Sequence, residues 1–219
     1  MKLGIVVGMQ SEARLARQFA PTARIVPSGA TFLGAQGAVK ALLKFRCNAV
    51  LSFGLAAGLS PIQKAGTVII PHTVWHKGTA WEVDKTLWHR VGGKALSVNN
   101  NDIVHVDHIV ASAAEKRNLA LRYPSCVALD MESGIVAEQC HAAGIPFAVV
   151  RVICDDAKRS LPPLVQGVLS QQGHIQAQSI LTSLLFYPWQ IPSLIGLAFE
   201  SARAEAALKR HIQKMTLQS

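Results

Sequence analysis

Three carboxylates stand where an apolar run gives way to a helix or a loop: Glu12, Glu132 and Asp155. Glu12 follows the run at residues 3–7 and the turn at Gly8, Glu132 follows CVALD at 126–130, and Asp155 closes PFAVVRVIC at 146–154. Cleavage of a bond between a sugar and a base would use such a set. The ribose becomes oxocarbenium-like, as in glycoside cleavage. An acid must protonate the departing base. A carboxylate can hold the two ribose hydroxyls by accepting both protons, and a third group positions water or phosphate on the opposite face. Asp156 is a rival to Asp155, either as the acid or as a loop cap; the spacing to Arg151 favours Asp155. Arg151 itself lies inside a strand-like run and reads as structural.

The elements that would position these groups alternate. Buried strands are expected at 3–7, 48–53, 66–71, 103–110, 126–129 and 146–154, where apolar residues run almost unbroken. Helices are expected after Ser11, a possible cap, and at 39–45, 84–91, 113–123 and 132–143. This alternation predicts a single-domain α/β fold with a central mixed, mainly parallel twisted sheet flanked by helices. Sites in such folds gather beyond the carboxyl ends of the strands, here at Gly8, Gly54, Asp130 and Asp155. The run Gly54-Leu55-Ala56-Ala57-Gly58 reads as a glycine-rich loop, with an ordinary tight turn as the alternative.

The bulk composition narrows the partners. The 219 residues hold 50% hydrophobic and only 16% charged residues, with a formal net charge of +9. A basic chain can attract nucleic acid, anionic lipid or a phosphorylated substrate. Its Lys and Arg are spread without a run of five and without an aromatic-basic pattern, so nucleic acid is not expected. The four cysteines, Cys47, Cys126, Cys140 and Cys154, form no CxxC pair and fit a reducing cytoplasm. The eight histidines show no metal-ligand spacing, and His105 and His108 on one strand would point to opposite faces. No metal and no cofactor are expected.

Residues 160–199 contain no Asp, Glu, Lys or Arg. The 21 uncharged residues 179–199 reach the length of a membrane span, but Pro188 and Pro192 interrupt them, so two short helices joined at 187–189 are expected, then a basic amphipathic helix at 201–214. The chain therefore divides into an α/β core at 1–159 and a helical extension at 160–219 packed on it. The apolar stretch could be a lid, a peripheral membrane contact through 179–199, or a subunit interface. The N-terminus MKLGIVVGM reads as a first strand rather than a signal peptide.

Four blocks, MKLGIVVGMQSE, SFGLAAGLSPIQKAGTVIIP, IVHVDHIV and ALDMESGIVAEQCHAAGIPFAVVRVICDD, together resemble the nucleoside phosphorylase and nucleosidase superfamily over about residues 1–156. The methylthioadenosine/S-adenosylhomocysteine nucleosidases are its nearest simple members. The segments SLPPLVQGVL and YPWQIPSLIGLAFESARAEAALKR further resemble the hopanoid-associated phosphorylases, which implies removal of adenine from adenosylhopane. The resemblance implies that Glu132 binds the ribose hydroxyls with Met131 against the sugar, that Asp155 protonates the purine, and that Glu12 lies on the nucleophile side. Gly8, Gly54, Leu55, Ala56 and Cys154 would line the substrate. Leu55 departs from the serine common at its position, and no arginine stands where phosphorylases hold phosphate. The nucleophile is thus left open between water and inorganic phosphate as a co-substrate. A cytoplasmic homo-oligomer, possibly peripheral on the inner face of the membrane, is the implied setting.

Overall fold

A computed structural model describes residues 1–161 and 191–216. The strands are β1 (Leu3–Val7), β2 (Arg24–Pro27), β3 (Ala49–Gly58), β4 (Val68–Ile69), β5 (Thr73–His76), β6 (Thr79–Glu82), β7 (Val98–Asn99), β8 (Asp102–His105), β9 (Cys126–Asp130) and β10 (Phe147–Asp155). The helices described are α1 (Gln10–Phe19), α2 (Phe32–Lys44), α3 (Lys85–Arg90), α4 (Ala113–Arg122), α5 (Ser133–Ala142) and α6 (Ile191–Thr216). The strands form one sheet in the order β6-β5-β8-β9-β3-β10-β4-β7, with β1 also joining β3 and β2 joining β1. The sheet is mixed and mainly parallel, as the alternation predicts. Among the described residues, only β3–β9, β10–β4 and the β5–β6 hairpin run antiparallel.

Strand β3 is the hub. Its first half lies between β1 and β10, and its end pairs with β10 on one side and β9 on the other. Val50, Leu51, Phe53, Val149, Val150 and Ile153 are buried in the core that results. A strand covered on both faces needs no polar alternation, which is why these runs are nearly continuous in the sequence. The expected glycine-rich loop at 54–58 is thus corrected. It is the second half of β3, held straight by neighbours on both edges. In β10 the register slips between Ile153 and Asp155, leaving Cys154 as an extra residue against β3. Such bulges re-aim a strand end, and this one sits immediately before Asp155.

Other boundaries shift for local reasons. Helix α1 begins before Ser11, because Glu12 reaches back to the Met9 N–H at 2.8 Å and Ser11 is left exposed. Helix α2 begins at Phe32, where the Thr31 side chain accepts from the Gly34 N–H. The strand expected at 103–110 ends at His105, and that expected at 66–71 keeps only Val68–Ile69. The short strands β2, β6 and β7 carry too few apolar residues to be read from pattern.

Helix α6 starts earlier than expected, with Pro192 in its first turn, where a missing N–H costs nothing. Its Ala204, Leu208 and Ile212 are buried in the core, and Glu200 pairs with Arg159 at 2.7 Å. The helix pair expected around 187–189, and most of the stretch 179–199, lie outside the described residues. Among the described residues no helix is long and apolar enough to cross a membrane.

Candidate active site

A cleft of about 280 Å³ opens at the carboxyl ends of β1, β3, β9 and β10. Gly8, Glu12, Leu55, Ala56, Met131, Glu132, Cys154 and Asp155 all line it, so the fold gathers eight of the nine residues singled out in the sequence. Gly54, the ninth, lies directly behind the carboxylates. A Cβ there would fall 2.6 Å from both Arg151 Nη1 and Glu12 Oε1. Only glycine allows those two side chains to cross the strand at that point. Gly8 plays a similar part, since a Cβ would stand 3.1 Å from oxygens of both Glu12 and Glu132.

Glu12 is 4% exposed and fixed by two backbone donors, the N–H groups of Met9 and Leu55, each at 2.8 Å. The Leu55 amide comes from β3, so the strand's backbone does serve the site, through a carboxylate. Burial pushes the Glu12 carboxyl above its ordinary range, while Arg151 and the backbone donors oppose the rise.

Glu132 closes the turn between β9 and α5 and is also 4% exposed. Its Oε2 accepts from Arg151 Nη2 at 3.0 Å. The same Arg151 Nη2 stands 2.6 Å from Asp130 Oδ2 and donates to Ser52 Oγ at 2.8 Å. One guanidinium therefore serves Asp130 and Glu132 and is felt by Glu12. Burial is the largest cause of a Glu132 pKa raised to about 7, with Asp130 and Glu12 adding to it and Arg151 opposing it. Asp130 is committed elsewhere as well, accepting from the Ser133 N–H and hydroxyl at the start of α5. Asp130 and Glu132 both border the cleft, Asp130 with both of its oxygens engaged by Ser133.

Asp155 lies across the cleft, 4% exposed, in an ion pair with Lys116 of α4. Lys116 also donates to the carbonyls of Asp156 at 3.0 Å and Arg159 at 3.1 Å. Burial raises the Asp155 pKa and Lys116 restrains the rise. Asp156 takes the other role considered for it. It caps a loop, accepting from the Ala65 N–H at 2.8 Å, and does not line the cleft.

Lys116, Met9 and Ala30 were not singled out in the sequence, and His108 was weighed there only as a metal ligand. His108 and Met9 border the cleft, and His108 pairs with Glu115 at 2.7 Å. Lys116 did leave a signal. It shares a helical face with Leu119 and Ala120, three and four residues on, and a lysine on an apolar stripe implies a buried partner. Arg151, set inside an apolar strand, carried the same message.

The fold that carries this cleft has known counterparts. The streptococcal MTA/SAH nucleosidase crystallised with 8-aminoadenine (Streptococcus pneumoniae) superposes with a TM-score of 0.67 at 20% identity, over 83% of this chain and 97% of that one. The fold is the nucleosidase fold. The Helicobacter pylori 5'-methylthioadenosine/S-adenosyl homocysteine nucleosidase shares it, with a TM-score of 0.71 at 16% identity over 100% of this chain and 99% of that one. The family model of the phosphorylase superfamily matches residues 102–184, which include Met131, Glu132, Cys154 and Asp155. The 5'-methylthioadenosine/S-adenosylhomocysteine nucleosidase of Baumannia cicadellinicola subsp. Homalodisca coagulata is 28% identical over 144 residues, 56% of this chain. The match spans 63% of that relative's own length.

Proposed function

We propose that this protein is an enzyme that cleaves the N-glycosidic bond of an adenine nucleoside carrying an apolar 5′ substituent, with adenosylhopane as its substrate. The observation that carries this reading is the convergence of Glu12, Glu132 and Asp155 on one cleft. Glu132 accepts the ribose hydroxyl protons. Asp155, whose pKa is raised by burial, donates a proton to a ring nitrogen of the departing base. The ribose then carries oxocarbenium character, and the nucleophile arrives on the side of Glu12.

Water is the nucleophile this lining favours. Glu12 is a buried base strengthened by desolvation, and among the described residues no Lys or Arg side chain lines the cleft to hold a phosphate dianion. The 5′ preference rests on the cleft's apolar border of Ile109, Val110, Leu129, Met131 and Leu161. Leu161 is also the second residue of the uncharged stretch at 160–199. The related nucleosidases point to the same base and bond, since one of them is described with 8-aminoadenine bound. We place the enzyme in the cytoplasm, as a homo-oligomer in peripheral contact with the membrane that carries its lipid substrate.

Adenine release from adenosylhopane and from methylthioadenosine, each with and without phosphate, tests this. Faster turnover of adenosylhopane in both conditions is expected. Preference for methylthioadenosine would overturn the lipid reading, dependence on phosphate would overturn the hydrolytic one, and no adenine from either substrate would overturn the function.

A further inference from the structure

Behind the ribose side of the cleft, β5 and β8 end side by side in histidines. The strands are parallel neighbours through Val74–Ile103 and Trp75–Val104, which brings His76 and His105 together at their carboxyl ends. The two rings meet edge to face, 4.5 Å between centroids. Helix α5 passes directly over them at Gly134, where a Cβ would lie 2.5 Å from that of His105 and 2.8 Å from that of His76. The side chains are 97% and 100% buried, respectively.

Each imidazole has one nitrogen against a carboxylate and one against nothing. His76 Nδ1 lies 3.5 Å from Glu138 Oε2, and His105 Nε2 lies 3.2 Å from Asp107 Oδ1. His76 Nε2 and His105 Nδ1 are buried without a hydrogen-bond partner among the described residues. Leaving a buried polar nitrogen unpaired costs on the order of 1–3 kcal/mol. His76, held by the Glu138 carboxylate on Nδ1 and open on Nε2, has the form in which imidazole ligates a metal, and His105 presents its Nε2 beside the Asp107 carboxylate. One ligand atom each from His76, His105 and Asp107 lie within 4.8 Å of one another.

We propose that His76, His105 and Asp107 bind a divalent transition-metal ion, zinc by preference, with Glu138 orienting His76 from outside. Two imidazoles and one carboxylate suit zinc, whose Zn–N bonds of about 2.0–2.1 Å would draw the three groups inward. Asp107 and Glu138 are each 54% exposed, which leaves the site an entry from solvent.

The ion's role is to clamp β5, β8 and α5, the element that follows Glu132. His76 and His105 do not line the cleft, so the ion takes no part in the reaction. The spacing of these ligands gave no sign of the site in the sequence, because 29 residues separate two histidines that only the parallel pairing joins.

The test uses the full chain, stripped with chelator and titrated with Co²⁺ and Zn²⁺. One equivalent of Co²⁺ should give a visible ligand-field band without thiolate charge transfer, and Zn²⁺ should displace it and raise Tm. His76→Ala should abolish the band. Asp107→Asn, at an exposed side chain that leaves the core intact, should weaken binding by more than the roughly 10–100-fold that loss of an outer partner costs. Absence of binding in the wild type, or binding unchanged in Asp107→Asn, would overturn the proposal, as would a thiolate band that places the ion on cysteine.

Discussion

Replacing Lys116 with Met keeps the shape of a fully buried side chain and removes its charge and its three donors. The Lys116 side chain is 0% exposed and that of Asp155 6%, so the pair is screened by almost no water. Breaking a buried pair from one side costs roughly 3–5 kcal/mol when the remaining charge cannot be neutralised. Here it can be, because Asp155 can take up a proton. Its folded pKa is already raised by burial, and Lys116 is the largest influence holding it down. A carboxyl raised on folding stabilises the fold fully below its unfolded pKa and loses that contribution as pH rises through the folded value. Lys116→Met raises the folded value further, so Asp155 in the variant stays protonated to higher pH than in the wild type and becomes an unpaired carboxylate as pH rises through that value. The cost of the substitution should therefore grow with pH. At pH 5 only the lost bonds to the Asp156 and Arg159 carbonyls remain, on the order of 1–3 kcal/mol. At pH 8 it should approach the full ~3–5 kcal/mol. Urea unfolding of both proteins at the two pH values measures this. The basic limb of the pH–rate profile for adenine release should move upward in the variant, since Asp155 stays an acid longer. An equal stability cost at pH 5 and pH 8, with an unmoved basic limb, would refute the coupling.

The remaining residues lend themselves to simpler tests. Asp155→Asn keeps the volume and removes the proposed proton donor, so adenine release should fall by about 10²–10⁴-fold, a loss read directly by release kinetics, while Tm stays near wild type. Gly54→Ala puts a methyl where Arg151 and Glu12 already crowd; kcat should drop more than tenfold, and wild-type turnover would show that the carboxylates tolerate displacement. For Glu132, whose pKa is raised to about 7, stability should decline as pH rises from about 4.5 through 7, by roughly 3 kcal/mol. Glu132→Gln should flatten that decline in urea titrations, and a slope equal to wild type would move the titration to another group.

The sequence made the residues of the candidate site legible because the fold is locally consistent around them. Buried strands such as β1 and β10 announce themselves as apolar runs, and a carboxylate closing such a run has few structural reasons to be there. What stayed hidden was set by pairing between distant segments. Residues 54–58 look like a glycine-rich loop in isolation and become strand only because β9 and β10 flank them. The bulge at Cys154 exists only relative to β3, and the Lys116–Asp155 pair joins residues 39 apart. Asp155 against Asp156 was separable only in part by spacing, since what divides them is which one reaches the Ala65 N–H.

The charge balance of the site leads to one more consequence, concerning binding itself. Asp130, Glu132 and Glu12 gather around a single buried guanidinium, and Asp130 sits nearest to it. One positive charge cannot stabilise three carboxylates in so dry a place, so Glu132 holds a proton for part of the time near neutral pH. A ribose placed against Glu132 brings two hydroxyl donors, which favour the ionised form. Binding should then expel that proton, and affinity for a non-reacting nucleoside analogue should increase as pH rises toward and past about 7. Calorimetry of analogue binding at pH 6.5 in buffers of different ionisation enthalpy reads the proton directly. The expected result is release of a fraction of a proton in the wild type and none in Glu132→Gln. Binding heats that do not depend on the buffer would mean that Glu132 is already ionised in the free enzyme, and that Arg151 carries more of the charge than its shared position suggests.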